Sequence, residues 1–135
     1  MRIIADVRAV AFGSLALLAC GCGTDAPATL RTLGSWAATG AMLGHAWSDG
    51  ATPPAYTERT LERAQRELAE QARELGTLPA SERTAAWPVT ERVARSLREL
   101  AVAVRTDRRA DARTLAERLA DDARRLQELA ARVAS

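Results

Sequence analysis

Length, composition and charge narrow what this chain can be. Its 135 residues have room for one domain, and an aromatic content of 4% means that Leu, Val and Ala must build the core. The 19 basic residues, all of them arginine, and the 17 acidic residues alternate along the sequence and leave a formal net charge of +2. Because neither half of the chain accumulates positive charge, nucleic-acid binding is not expected.

The first twenty residues have the pattern of an export signal. Arg2 and Arg8 supply a positive start, and residues 9–19 form an apolar run that is interrupted only by Gly13 and Ser14. A membrane-spanning helix needs about 20 apolar residues. The run is too short for that, but it has the length of the apolar region of a signal peptide.

The apolar run ends in Leu17-Leu18-Ala19-Cys20, and Gly21 follows. This segment resembles the lipobox of bacterial lipoprotein precursors, with a leucine three residues before the cysteine and a small residue directly before it. The resemblance covers only the first fifth of the chain. It implies cleavage before Cys20, acylation of the Cys20 thiol and a lipid anchor at the cell envelope. Gly21 in place of aspartate implies the periplasmic face of the outer membrane.

The same two cysteines allow other interpretations. An ordinary secretory signal peptide would be cleaved near Gly23, and Cys22 is a second, less fitting site for the lipid. A disulfide between Cys20 and Cys22 is sterically poor, because residues this close rarely reach the required dihedral angle. A zinc site would need two more ligands, and the chain has no other cysteine.

The remaining sequence predicts an all-α protein, an antiparallel four-helix bundle that follows the cleaved signal peptide. The predicted organisation is a signal peptide at residues 1–19, a flexible tether at 20–28 and the bundle at 29–135. Apolar residues recur every three or four positions in this last part. Short connections between these stripes favour antiparallel neighbours.

Helix one is predicted over residues 29–48, and helix two begins at Pro54 or Ala55, because proline is tolerated in a first turn. The stripe of helix two ends before Gly76, which is the expected left-handed residue after the helix. Two starts are open for helix three. Ser81 could cap a helix that Pro88 kinks, or Pro88 could open the main helix.

Helix four is predicted to follow a tight turn at residues 105–107, with Thr106 or Asp107 as its N-cap, and to run to near Ser135. The apolar stripes of the last two helices are Val89, Val93, Leu97, Leu100 and Val104, then Ala112, Leu115, Leu119, Ala123, Leu126, Ala130 and Val133. The polar faces carry opposite charges four residues apart, which predicts surface ion pairs of little functional meaning. These pairs are Glu62–Arg66, Glu91–Arg95, Asp121–Arg125 and Glu128–Arg132.

Helix one differs from the others because residues 32–48 contain no Asp, Glu, Lys or Arg. Gly40 and Gly44 form a GxxxG spacing, which lets helices approach closely. The favoured interpretation is a helix that is buried on most faces. A helix that lies against the membrane or a partner is the alternative, and Trp36 and Trp47 would suit such an interface.

His45 is the only histidine, and Met42 lies three residues before it. Imidazole and thioether groups can ligate haem iron or copper, but a second ligand would have to come from another helix. The favoured interpretation is a partly buried histidine near a helix C-terminus. A possible ligand or partner face is therefore Trp36, Met42, His45 and Trp47, whereas Trp87 and Tyr56 are expected to be packing anchors.

Motifs for catalysis are missing from the sequence, which has no GxSxG, no glycine-rich phosphate loop and no CxxCH. We therefore expect no enzyme, no cofactor and no metal, but a lipid-anchored envelope protein that acts in protein–protein interaction or envelope structure. The alternative is a periplasmic carrier of haem, metal or a small apolar ligand that uses His45 and Met42. The expected partners are the membrane and another envelope protein, and the sequence leaves the oligomeric state open.

Overall fold

A computed structural model describes residues 25–135, and this part of the chain is all-helical, as predicted. The predicted signal peptide, Cys20 and residues 20–24 of the tether lie outside the described residues. The four α-helices, in chain order, are α1 (Ala26–Ser48), α2 (Pro54–Glu74), α3 (Ala80–Arg105) and α4 (Arg109–Ala134), with a 3₁₀ turn (Leu75–Thr77) after α2.

The helices pack side by side around one apolar core, with α1 next to both α2 and α4, and α3 next to both as well. Short connections join successive helices, so neighbours run in opposite directions. The contacts between α1 and α4 show this opposite direction, since Gly34 faces Gln127 and Gly44, further along α1, faces Ala116, earlier in α4. The core is built mainly of leucine, alanine and valine, with Trp47 as its largest buried side chain. Each fully buried leucine contributes about 1.5–3 kcal/mol to the free energy of unfolding.

The glycines of α1 allow close contacts between helices, as the GxxxG spacing predicted. A Cβ atom at Gly44 would lie 2.9 Å from the Cβ of Ala116, and one at Gly40 would lie 2.5 Å from Cδ2 of Leu97. Eleven of the 23 residues of α1 are buried, compared with four of 21 in α2. The uncharged stretch of residues 32–48 is therefore explained by the central place of α1 in the bundle.

The first helix begins three residues earlier than predicted. Asp25 caps it, because the Ala28 backbone N–H donates to Oδ1 of Asp25 at 3.2 Å, and Pro27 fits the first turn. At the other end Gly50 adopts a φ of 76°, and the Ala51 N–H donates to the Ala46 carbonyl at 2.8 Å. This is a Schellman motif, in which glycine occupies the left-handed position after the helix.

The predicted role of Gly76 is wrong, because the chain continues from α2 directly into the 3₁₀ turn and Gly76 has no positive φ. The start of α3 is closest to the first of the two predicted alternatives, since the helix begins at Ala80 and contains Pro88 in its interior. Ser81 does not cap this helix, and its hydroxyl donates to Oε2 of Glu82 at 2.7 Å instead.

The connection from α3 to α4 also differs from its prediction. Thr106 ends α3, and its hydroxyl donates to the Val102 carbonyl at 2.8 Å. Asp107 has a φ of 54°, and the Arg108 N–H donates to the Ala103 carbonyl at 2.8 Å, which is a second Schellman motif. Neither Thr106 nor Asp107 caps α4, whose N-cap is Arg108 without a side-chain hydrogen bond.

Within the part of the chain that the structure describes, none of the four predicted ion pairs forms. Asp121 pairs with Arg124, three residues away, and Glu91 accepts a hydrogen bond from Trp87. The ion pairs that do form are Arg92–Asp122, Arg108–Asp111, Arg109–Asp107, Arg113–Asp49 and Arg124–Asp121.

Candidate functional site

The four residues of the possible ligand or partner face lie in different environments. Met42 is 63% exposed, whereas Trp47 is 1% exposed in the core. The two residues are five positions apart in α1, which places them about 140° apart around the helix. Trp36 and His45 are half-buried. Met42 and Trp47 therefore do not face a common ligand, and no group of three or more His, Cys, Asp or Glu that could hold a metal occurs among residues 25–135.

Trp47 takes part in the junction between the end of α1 and the start of α4. The Arg109 guanidinium lies 5.0 Å from the centre of the Trp47 ring, and its Nη1 donates to the Trp47 carbonyl at 3.0 Å. A cation is favourable at both places, over an aromatic face and at a helix C-terminus. Arg113 and Asp49 add an ion pair of 2.6 Å at the surface of this junction. The surroundings of Trp47 are those of a structural contact.

An apolar groove runs along the outer side of the bundle between α2 and α3. It has a volume of about 140 Å³. Helix α2 contributes Leu68, Ala69 and Ala72, and α3 contributes Trp87, Ala94 and Arg98. We refer to these six residues and the space between them as the α2–α3 groove.

Trp87 forms one end of the α2–α3 groove. Its side chain is 45% exposed, and its Nε1 donates to Oε1 of Glu91 at 2.9 Å. This hydrogen bond holds the indole across one turn of α3 and leaves its apolar surface accessible. The prediction that Trp87 is a packing anchor is therefore only partly met, and Tyr56, which is more exposed than Trp87, does not act as one.

Arg98 forms the other end of the groove, 11 residues or about 16 Å along α3 from Trp87. Its guanidinium is exposed and has neither an ion-pair nor a hydrogen-bond partner among the residues that the structure describes. Between the two ends, the lining includes the buried side chain of Leu68 and the small side chains of Ala69 and Ala94. The groove thus combines an aromatic end, an apolar floor and an unpaired cation.

The sequence contains signals for this groove that lie outside the apolar stripes. Glu91 follows Trp87 by four residues, which is the spacing that lets a helix side chain accept from an indole N–H. Ala69 and Ala94 lie next to the apolar stripes, at positions where a larger side chain would fill the groove. What the sequence lacks is the pairing of these positions across two helices.

No protein family, curated protein or solved structure matches this chain. No helix between residues 25 and 135 combines the length and the apolar character needed to cross a membrane.

Proposed function

We propose that this chain is a non-enzymatic, lipid-anchored envelope protein whose antiparallel four-helix bundle binds a helix of another envelope protein. The observation that carries this proposal is the α2–α3 groove, an apolar surface with an exposed tryptophan at one end and an unpaired arginine at the other. Grooves between two helices are a common site for the apolar row of a third, amphipathic helix.

The anchor rests on the resemblance of residues 17–20 to a lipobox. Asp25, where the bundle begins, is five positions after Cys20, and such a segment reaches at most about 17 Å. A lipid on Cys20 would therefore hold the bundle close to the bilayer, at the end where α1 begins. Export to the periplasmic face of the outer membrane is part of the same proposal.

The charge and shape of the groove specify the occupant. An amphipathic helix would place apolar side chains over Ala69 and Ala94 and one of its carboxylates beside Arg98. That carboxylate would give Arg98 the ion-pair partner that it lacks within the bundle. Glu91 is already engaged with Trp87, so the charge preference of the groove is set by Arg98.

Labelling cells with an alkyne analogue of palmitate tests the anchor. We expect the wild type and Cys22→Ser to incorporate the label and Cys20→Ser to lose it. The two variants are matched, because each removes one thiol from the same segment. Equal labelling of all three proteins, or labelling of none, would show that the chain is not anchored through Cys20.

Site-specific photo-crosslinking in intact cells tests the groove. A benzophenone amino acid at position 69 replaces an alanine in the groove, and the same group in place of Ala131 on the exposed surface of α4 is the control. We expect position 69 alone to give a defined adduct, whose crosslinked peptide is an amphipathic helix that contains an acidic residue. Trp87→Ala should abolish this adduct, whereas Tyr56→Ala, which removes another exposed aromatic residue, should not.

Two results would overturn the docking proposal. One is the same set of adducts from positions 69 and 131, which would indicate a nonspecific surface. The other is an adduct of the chain with a second copy of itself, which would make the groove a homo-oligomer interface.

A further inference from the structure

A second cleft lies between α3 and α4, away from the α2–α3 groove, and has a volume of about 390 Å³. Four arginines line it, two from each helix: Arg92 and Arg95 from α3, and Arg118 and Arg125 from α4. Alternation of charge along the sequence hides this cluster, because the arginines come together only when the two helices pack.

The acidic residues of the cleft compensate only part of this positive charge. Asp122, 5% exposed, accepts from Nη2 of Arg92 at 2.9 Å and from its Nε at 3.3 Å. Asp121 is paired with Arg124, which is not part of the cleft lining. Glu99 is the remaining carboxylate of the lining and has no ion-pair partner within residues 25–135.

Three cleft arginines therefore have no partner in the described part of the chain, namely Arg95, Arg118 and Arg125. After Glu99 is counted against them, the unpaired side chains carry a formal charge of +2, from three positive charges and one negative charge. A doubly charged anion would balance this charge.

Ser96 supplies a second, independent observation. It lines the same cleft, is 8% exposed and has no hydrogen-bond partner among the described residues. Buried hydroxyls elsewhere in the bundle donate to the carbonyl four residues earlier, as Thr90 does to Ala86 at 3.0 Å and Ser48 does to Gly44 at 2.6 Å. The Ser96 Oγ keeps some accessible surface, so water or a ligand in the cleft can reach it. The Ser96 hydroxyl is therefore available to a ligand in the cleft.

We infer that this cleft binds a phosphate group. The guanidinium groups of Arg95, Arg118 and Arg125 would donate to the phosphate oxygens, and the Ser96 hydroxyl would add a neutral donor from the floor. Guanidinium groups match phosphate because their N–H groups form a planar fork that can donate two parallel hydrogen bonds. A phosphate monoester carries a charge of about −1.5 to −2 at pH 7, which is close to the unpaired charge of the cleft. The Arg92–Asp122 pair flanks this site and holds the two helices together beside it.

The phosphate can come from a lipid headgroup or from a soluble ester, and titration calorimetry of the purified full chain in a neutral detergent distinguishes the two. The probes are inorganic phosphate and monomeric dihexanoyl phosphatidic acid, whose headgroup is a phosphate monoester, with dihexanoyl phosphatidylcholine as the zwitterionic reference. Saturable binding of phosphatidic acid but not phosphatidylcholine identifies a lipid headgroup. Saturable binding of inorganic phosphate alone identifies a soluble phosphate. Saturable binding of neither probe overturns the inference.

Matched variants assign the binding to the cleft. We expect Arg95→Gln/Arg118→Gln to weaken binding at least about tenfold, because each charge-assisted hydrogen bond contributes about that factor. Arg63→Gln/Arg66→Gln removes the same charge from the exposed surface of α2 and should leave the affinity unchanged. Ser96→Ala alters one hydroxyl without changing the charge and should weaken binding about threefold to tenfold.

Equal loss of affinity in the two double variants would show binding by overall charge and would overturn the inference. Wild-type affinity in both Ser96→Ala and Arg95→Gln/Arg118→Gln, measured as separate proteins, would also overturn it. Circular dichroism confirms that each variant is folded. The α2–α3 groove is unchanged in all of these variants, so failure here does not affect the docking proposal.

Discussion

Asp107 has a backbone conformation that is costly for a residue with a Cβ atom. Its φ of 54° lies in the left-handed region, where residues other than glycine lose about 1–2 kcal/mol. The position after α3 requires this conformation, because the Schellman motif depends on it. The ion pair of Asp107 with Arg109, 3.6 Å long between exposed side chains, offsets little of this cost.

Replacement of Asp107 by glycine should therefore stabilise the protein. We expect Asp107→Gly to raise the free energy of unfolding by about 0.5–1 kcal/mol, since relief of strain exceeds the greater flexibility of glycine in the unfolded chain. Chemical denaturation followed by circular dichroism measures the change. Asp107→Ala removes the same carboxylate but keeps the Cβ atom, so it should be no more stable than the wild type. Equal stabilisation by both variants would assign the effect to charge and not to the backbone.

At the scale of elements, the glycines of α1 decide how closely the helices approach. A Cβ atom at Gly40 would lie 2.5 Å from Leu97 and 3.1 Å from Leu119, and both leucines are fully buried. At Gly34 the nearest atom is Cγ of the exposed Gln127 at 3.3 Å, which can move aside, and the Ala123 carbonyl oxygen lies at 3.4 Å, an ordinary contact distance. The two positions lie in the same helix, but only at Gly40 would a new Cβ atom overlap with a buried side chain.

Alanine substitutions at these positions should have opposite effects. Gly40→Ala gains about 1 kcal/mol in helix propensity but forces buried leucines apart, so we expect a net loss of about 1–2 kcal/mol in the free energy of unfolding. Gly34→Ala keeps the gain in propensity and should be neutral or stabilising. Thermal unfolding of both variants beside the wild type provides the measurement. If Gly40→Ala were as stable as Gly34→Ala, the close contact between α1 and α3 would not limit the packing.

The helices could be predicted from the sequence because one repeating apolar stripe defines each of them. Their ends were harder to predict, because an end depends on the backbone that the next connection requires. Gly50 adopts a positive φ whereas Gly76 does not, and Asp107 adopts one without being glycine. The α2–α3 groove and the arginine cleft were not predicted, since each is made by two helices whose facing positions follow only from the packing.

In the molecule as a whole, the four helices differ in how many of their residues are buried, and α2 has the smallest fraction. Four of its 21 residues are buried, compared with eight of 26 in α4. Helix α2 touches α1 and α3, whereas α1 packs along α4 with its glycines in contact. A helix with few buried side chains opens at a lower free energy than the rest of the molecule.

Hydrogen exchange measured by mass spectrometry should therefore show faster exchange of the α2 amides than of those in α1 and α4. The reason is local opening, in which α2 separates while the other three helices remain packed. Because α2 forms one wall of the α2–α3 groove, a helix bound there would contact both α2 and α3 and slow exchange in α2 more than in α4. Uniform exchange along all four helices would mean that the bundle opens only as a unit.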